Sequence, residues 1–266
     1  MNTFTLFDLA GAWAGIWLVD TLRYLIAAAL GAMLVATVRW PMHRVLSPRP
    51  WSREQVGFEL RHSLATALIF SIAGVGIYAM FKLGWTRIYS NFDDRGLWYW
   101  IGSLAAVIVL HDAYFYWAHR LLHLPALMRR VHWVHHRSRA PTPWAAYSFH
   151  PVEALINALF LPLYTLVVPL HGSAMYAFVT FMIARNVLGH GGHEVFPRFA
   201  TTRRWLDWST TVSHHHLHHQ AGRGNYSLYF TWWDRWCGTE SPSYLSRLAL
   251  ATGARLPTAE PKGAKP

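Results

Sequence analysis

The chain has 266 residues, of which 53% are hydrophobic, 15% aromatic and only 14% charged, a balance too apolar for an ordinary soluble domain. The net charge is +11, yet the arginines flank apolar segments instead of forming a separate basic domain, which argues for anionic lipid and against a nucleic-acid partner. Cys237 is the single cysteine, which excludes an intramolecular disulfide and a thiolate zinc site.

A helix needs roughly 20 apolar residues to cross a bilayer core. Five segments come near that length: Trp13–Val38, Leu60–Leu83, Leu97–Ala118, Val152–Leu170 and Ala174–Leu188. The first carries Asp20 and Arg23, which are costly at mid-membrane and are expected to pair or snorkel. Pro162 and Pro169 kink the fourth. The fifth is short and ends at Arg185; in a four-span alternative the last two form a shallow hairpin. No cleavable signal peptide is expected, since no basic region precedes an apolar core at the N-terminus.

Arginine placement orients the set. Arg39, Arg44, Arg49, Arg53 and Arg61 follow the first segment, Arg120, Arg129, Arg130, Arg137 and Arg139 follow the third, and the region after His190 is basic. The connection at His171–Ser173 has no lysine or arginine, and Arg87 and Arg95 are offset by Asp93 and Asp94. This alternation predicts an outside N-terminus and a cytoplasmic C-terminus. The expected fold is an all-α integral membrane helical bundle of four to five spans, with N-terminal helices in 1–96, a catalytic domain in 97–240 and a flexible tail in 241–266.

Seventeen histidines are far more than such a length usually carries. Three boxes stand out: His119-x-x-x-His123, His132-x-x-His135-His136 and His215-x-x-His218-His219. Residues three and four apart share a helix face, so each box is expected to present its imidazoles to a common point. All three fall on the predicted cytoplasmic side, whereas His171 lies opposite and reads as a loop histidine. Neutral imidazole suits iron, zinc, copper or nickel over magnesium or calcium. Eight imidazoles exceed the capacity of one ion, so two metals with about four ligands each is the economical reading.

From His111 to Thr239 these motifs resemble the fatty acid hydroxylase superfamily, membrane-bound non-haem di-iron oxygenases that include sterol desaturases and sphingolipid hydroxylases. The resemblance rests on the three boxes in order and on the lead-in Asp112-x-x-x-Tyr116-x-x-His119-Arg120. It extends to His150-Pro151-x-Glu153, Asn186-x-x-Gly189-His190, Asn225-Tyr226 and Trp233-Asp234-Arg235-x-x-Gly238-Thr239. It implies that the eight box histidines bind two iron ions, that His190 is a further ligand, and that O2 is a co-substrate. His193 departs from the pattern, and His214 and His216 enlarge the third box, so whether these three ligate stays open. Cys237 and Ser227 replace an aromatic and a glycine often seen in the closing motif.

Asp112, Glu153 and Asn186 are the candidate catalytic residues. Asp112 precedes His119 by seven positions, about −20° around the helix and ~10.5 Å along it. There it could orient an imidazole or pair with an arginine. Glu153 and His150 could cap the helix they begin or hold a ligand tautomer. His111 points about 80° from His119 and reads as a hydrogen-bonded core histidine. Asp207 and Asp234 suit salt bridges with Arg203, Arg204 or Arg235 as well as they suit the site.

The implied activity is O2-dependent hydroxylation or desaturation of a membrane lipid such as a sterol-like or acyl-chain lipid. Unactivated C–H bonds call for cofactor redox chemistry. Since neither a dinucleotide-binding glycine pattern nor a haem-attachment motif occurs, an external electron donor is expected: a cytochrome b5-like protein, a ferredoxin or a reductase. A membrane zinc hydrolase is disfavoured by the lack of H-E-x-x-H, with His193-Glu194 the nearest approach. A metal transporter would place its ligands along a path within the membrane. Arginine's excess over lysine, with abundant alanine, points to a GC-rich bacterial source and an inner membrane.

Overall fold

The computed structural model describes residues 5–37, 41, 44–47, 51–197 and 208–254. Arg203, Arg204, Asp207 and the tail beyond 254 lie outside the described residues. Among the described residues, three helices are long and apolar enough to cross a membrane: α1 (Leu6–Thr37), α2 (Arg53–Lys82) and α3 (Gly96–Leu122). Leu18, Leu22, Ile26 and Leu30 of α1 and Leu64, Leu68 and Ile72 of α2 face outward. Stripes of that kind are stable against lipid tails and a liability in water. Ser52 starts α2 by accepting a hydrogen bond from the Gln55 amide.

Beyond α2, β1 (Ile88–Tyr89) pairs in parallel with β2 (Leu170–His171). This bridge lies near the start of α3, about 35 Å along that helix from His119. After α3 the chain passes through α4 (Pro125–Leu127), a π-helical turn at Met128–His132 and α5 (Trp133–His136). Then come α6 (Pro151–Ala158), α7 (Phe160–Val167) and α8 (Gly172–Gly189).

The fourth expected span is thus two helices broken at Leu159. Pro162 has no N–H for the Ala158 carbonyl, and its ring crowds that carbonyl. Pro151–Val167 and the 18-residue α8 reach only about 25–27 Å, short of a hydrocarbon core of roughly 30 Å. They form a shorter pair joined at β2. His171 caps α8 through the Ser173 amide.

The described chain closes with α9 (Val212–Ala221), α10 (Trp232–Trp236) and α11 (Tyr244–Thr252). Helix α11 lies where a flexible tail was expected; it is ordered by burying Tyr244, Leu248 and Ala251 as it packs on α9.

One core cluster joins Tyr24 and Ala28 of α1, Tyr147 and Phe149, and Ile183 and Val187 of α8. A second joins Val107, Phe160, Tyr164, Leu170 and Phe178. Gly31 permits the first, since a Cβ there would lie 2.6 Å from Val187 Cγ1. Buried Glu59 of α2 accepts from Gln55 and Thr142, and the Ser63 and Tyr24 hydroxyls both donate to the Trp144 carbonyl at 2.9 Å. These bonds lay the segment after α5 across α1 and α2.

Candidate metal centre

The fold brings nine histidines into two adjacent sets. His119, His123, His132, His136 and His218 form the first, and His135, His190, His215 and His219 the second; within each, one nitrogen per ring lies within 4.8 Å of the others. All nine predicted histidines are gathered here. The division is not the expected one, because two boxes split. His132 and His136 are about 40° apart around a helix, as are His215 and His219, and each pair stays together. His135 and His218 sit about 60° the other way and cross to the neighbouring set.

The imidazole hydrogen bonds test whether a metal fits. Nδ1 donates to the carbonyl of Tyr226 from His119 (2.8 Å), Gly222 from His123 (3.0 Å), Gly224 from His218 (2.7 Å), Asn186 from His190 (2.7 Å) and Ser148 from His135 (3.4 Å). A carbonyl only accepts, so in these neutral rings Nε2 carries the lone pair. Yet Nε2 of His190 faces Nε2 of His135 at 3.4 Å with both Nδ1 atoms so engaged, and Nε2 of His119 lies 3.1 Å from that of His132, whose Nδ1 meets no carbonyl. His123 Nε2 is buried with no hydrogen-bond partner. Converging lone pairs repel unless a cation joins them, and a histidine that binds metal through one nitrogen commonly donates the other N–H to a carbonyl in this way.

Burial also keeps the rings neutral. It pushes His136 down to about 3 and His190 to about 4, and it drives His135, His215, His218 and His219 well below the usual histidine range, with neighbouring imidazoles adding to the effect.

Three of those carbonyls belong to alternate residues of one loop, 222–226, which sequence reasoning missed. Gly222, Gly224 and Asn225 all have positive φ (64°, 72° and 54°), a conformation open to glycine and, less readily, asparagine. A Cβ on Gly224 would meet the Thr239 carbonyl oxygen at 2.6 Å. Asp234 clamps the loop by accepting from the Tyr226 and Ser227 amides (both 2.9 Å) and the Thr239 hydroxyl (2.7 Å). Burial would raise its carboxyl, but the approach of His214 at 3.4 Å, the Ser227 amide and Thr239 hold it below the usual carboxylate range. Arg235 instead pairs with Glu240.

The three predicted catalytic residues part company. Glu153 Oε1 lies 2.9 Å from His132 Nδ1, a close contact without the alignment of a formed hydrogen bond. His150, its alternative, caps α6 through the Val152 amide. Asp112, expected beside an imidazole or an arginine, accepts instead from the Tyr229 and Phe230 amides at 2.7 and 3.4 Å, because the closing loop packs on its face of α3. Asn186 donates to the Ala146 carbonyl at 2.6 Å, and its backbone carbonyl, not its side chain, holds His190.

Histidines outside the two sets have other partners. His111 bonds the Tyr229 hydroxyl at 3.0 Å among Phe160 and Phe178. His214 packs on Tyr244, His216 lies 3.5 Å from Ser47, and His193 bridges to Val45. Glu194 is engaged on both oxygens, by the Phe196 amide and by the Ser213 amide and hydroxyl.

A cavity of about 420 Å³ runs among α1, α2, α3, α7 and α8. Phe115 and Phe149 line it and also pack on His119 and His135, with ring centroids 5.0 and 5.1 Å apart. One aromatic ring therefore separates an apolar chamber from each histidine set.

The chain is similar to known sterol desaturases and oxidases. A Delta(7)-sterol 5(6)-desaturase of Gibberella zeae is 32% identical over 219 residues, 81% of this chain and 64% of that protein. Lathosterol oxidase of Mus musculus is 28% identical over 225 residues (81% of this chain, 74% of that protein), and that of Homo sapiens 26% over 204 residues (76% and 67%). The chain thus spans less than two thirds of the fungal desaturase. No solved structure matches it. The fatty acid hydroxylase family profile matches residues 104–239, half of the chain and all nine gathered histidines, so this chain belongs to the fatty acid hydroxylase family.

Proposed function

We propose that the chain is a non-haem di-iron oxidoreductase that hydroxylates or desaturates a membrane lipid, using O2 and an external electron donor. The observation that carries this reading is the convergence of nine buried or half-buried imidazoles in two sets, one aromatic ring from an apolar cavity. His119, His123, His132, His136 and His218 would hold one iron, and His135, His190, His215 and His219 the other. When bound, the irons supply the O2-dependent redox chemistry that no side chain can perform on an unactivated C–H bond.

The protein's own groups orient and insulate. Carbonyls of the 222–226 loop and of Asn186 fix the tautomers of the rings they hold, and Glu153 stands beside His132. Phe115 and Phe149 wall the lipid chamber beside the imidazoles and keep bulk water away. The arginine distribution supports a cytoplasmic histidine face, and composition supports a bacterial inner membrane. The zinc hydrolase reading loses its nearest general base, since both Glu194 oxygens are engaged.

Metal analysis after anaerobic purification tests the proposal. Two irons per chain are expected; a single zinc with esterase or peptidase activity would overturn it. His135→Ala should abolish oxidation and lower iron content, whereas His171→Ala should do neither. Lipid analysis of membranes with and without the active chain should reveal one lipid gaining an oxygen or losing two hydrogens.

A further inference from the structure

Asp20 and Arg23 lie one turn apart on α1, inside a candidate membrane span, and both line the cavity. They pair with each other, with Arg23 12% and Asp20 22% exposed. The guanidinium also lies over the Tyr176 ring of α8, 5.3 Å from its centroid. A charged pair inside a span is expensive and marks a functional position by default. It ties no second element to α1 by hydrogen bonding among the described residues.

The pair has capacity to spare. Arg23 Nη1 is buried with no hydrogen-bond partner. Asp20 meets Arg23 through Oδ1, which leaves Oδ2 as an acceptor. A neutral hydroxyl fits both, accepting from Arg23 and donating to Asp20. A carboxylate would meet Arg23 but be repelled by Asp20, and a hydrocarbon end would leave the guanidinium donor unmet. Val19 and Tyr176 line the same cavity and are 46% and 56% exposed, so the pair stands at an opening between α1 and α8 that faces the bilayer.

We infer that Asp20 and Arg23 receive the hydroxyl of a lipid alcohol entering sideways between α1 and α8. Tyr176 is ten residues before Asn186, about 15 Å along α8, and the Asn186 carbonyl holds His190. If the lipid-oxidation reading is right, on which this second part rests, the oxidised carbon lies on the order of 15 Å from the hydroxyl and not beside it.

The test uses metal-loaded protein in lipid nanodiscs without an electron donor, so that binding is read without turnover. The probes are radiolabelled cholestanol, its hydroxyl-free counterpart cholestane, and the matching 3-carboxylate. Wild type should bind cholestanol about tenfold more tightly than cholestane. The double variant Asp20→Leu/Arg23→Leu leaves no lone buried charge and should lose that preference while keeping its metal and melting temperature. Should it fail to fold, Arg23→Gln is read in the same way.

A wild type without hydroxyl preference, one that prefers the carboxylate, or a variant that keeps the preference would overturn the inference. Failure of the oxidation reading is distinguishable: the binding preference would persist while donor-supplied protein leaves cholestanol unchanged. A product oxidised within a few carbons of the hydroxyl would overturn the orientation.

Discussion

Asp234→Asn asks whether the loop carbonyls, and not the histidines alone, make the metal centre. The Asp234 carboxylate is fully buried and accepts from two amides and a hydroxyl at 2.7–2.9 Å. Asparagine matches its shape but replaces one oxygen with an amino group, which would face a backbone amide that also donates. One hydrogen bond to a charged group is lost, about 1.5–3 kcal/mol, and one buried N–H is left unmet, about 1–3 kcal/mol. The sum, about 2.5–6 kcal/mol, is a large fraction of an ordinary domain's stability. It falls on the loop whose Gly222, Gly224 and Tyr226 carbonyls orient His123, His218 and His119, so metal affinity should drop about 10–100-fold. Thermal melting in detergent and metal content after a timed chelator challenge measure both effects. A variant that melts and retains metal like the wild type would refute the claim that Asp234 shapes the site.

Glu153→Gln removes the buried carboxyl group beside His132 while keeping its size; metal retention in the five-histidine set should fall about tenfold or more, read by chelator competition, with the melting temperature little changed. Gly31→Ala puts a Cβ 2.6 Å from Val187 Cγ1 and 3.3 Å from Pro143 Cβ, so overpacking should cost about 1–3 kcal/mol in thermal unfolding. Stripping the metals should expose a pH dependence. The folded-state pKa of the gathered histidines lies below the unfolded value of about 6.5, so the unfolded chain binds more protons as acid is added. Stability is present above pH 6.5 and is lost on descending toward pH 4, where His190 titrates (about 4). A melting temperature of the stripped protein that stays flat across that window would contradict this.

The histidine sets were legible because spacing is a local property. Helical periodicity brings His119 under His123, and the same rule applied to His215 and His219 names residues that the fold does gather. What spacing could not supply is anything set by distant backbone. Asp112 shares the His119 face as periodicity predicts, but its partners are the amides of Tyr229 and Phe230, more than a hundred residues along. The 222–226 loop acts through carbonyls, which carry no side-chain signature. Only the requirement for positive φ at Gly222, Gly224 and Asn225 left a trace. Asp20 and Arg23 could be read as a costly pair, but their place at the mouth of a cavity depends on where α8 lies.

The split of the two boxes explains why the motif takes the form H-x-x-H-H. A pair four apart would suffice to aim two imidazoles at one point, as His119 and His123 do alone. The extra histidine in each larger box sits beside one member of that pair, and adjacent residues on a helix diverge by about 100°. Their rings must therefore serve different points. The ring centroids of His135 and His136 are 5.9 Å apart, and those of His218 and His219 are also 5.9 Å apart. Two short helical turns whose imidazoles meet across the gap thus span both sets with the same stride, and backbone geometry sets the spacing of the two sets. Neither set can form from one box, since each draws on both α5 and α9. His135→Ala should consequently weaken metal retention in the four-histidine set directly while leaving His132 and His136 in place. His119→Ala should do the converse. Loss of all metal from either single variant would show that the sets fill as one unit; loss of about half would show that the shared turns hold each set independently.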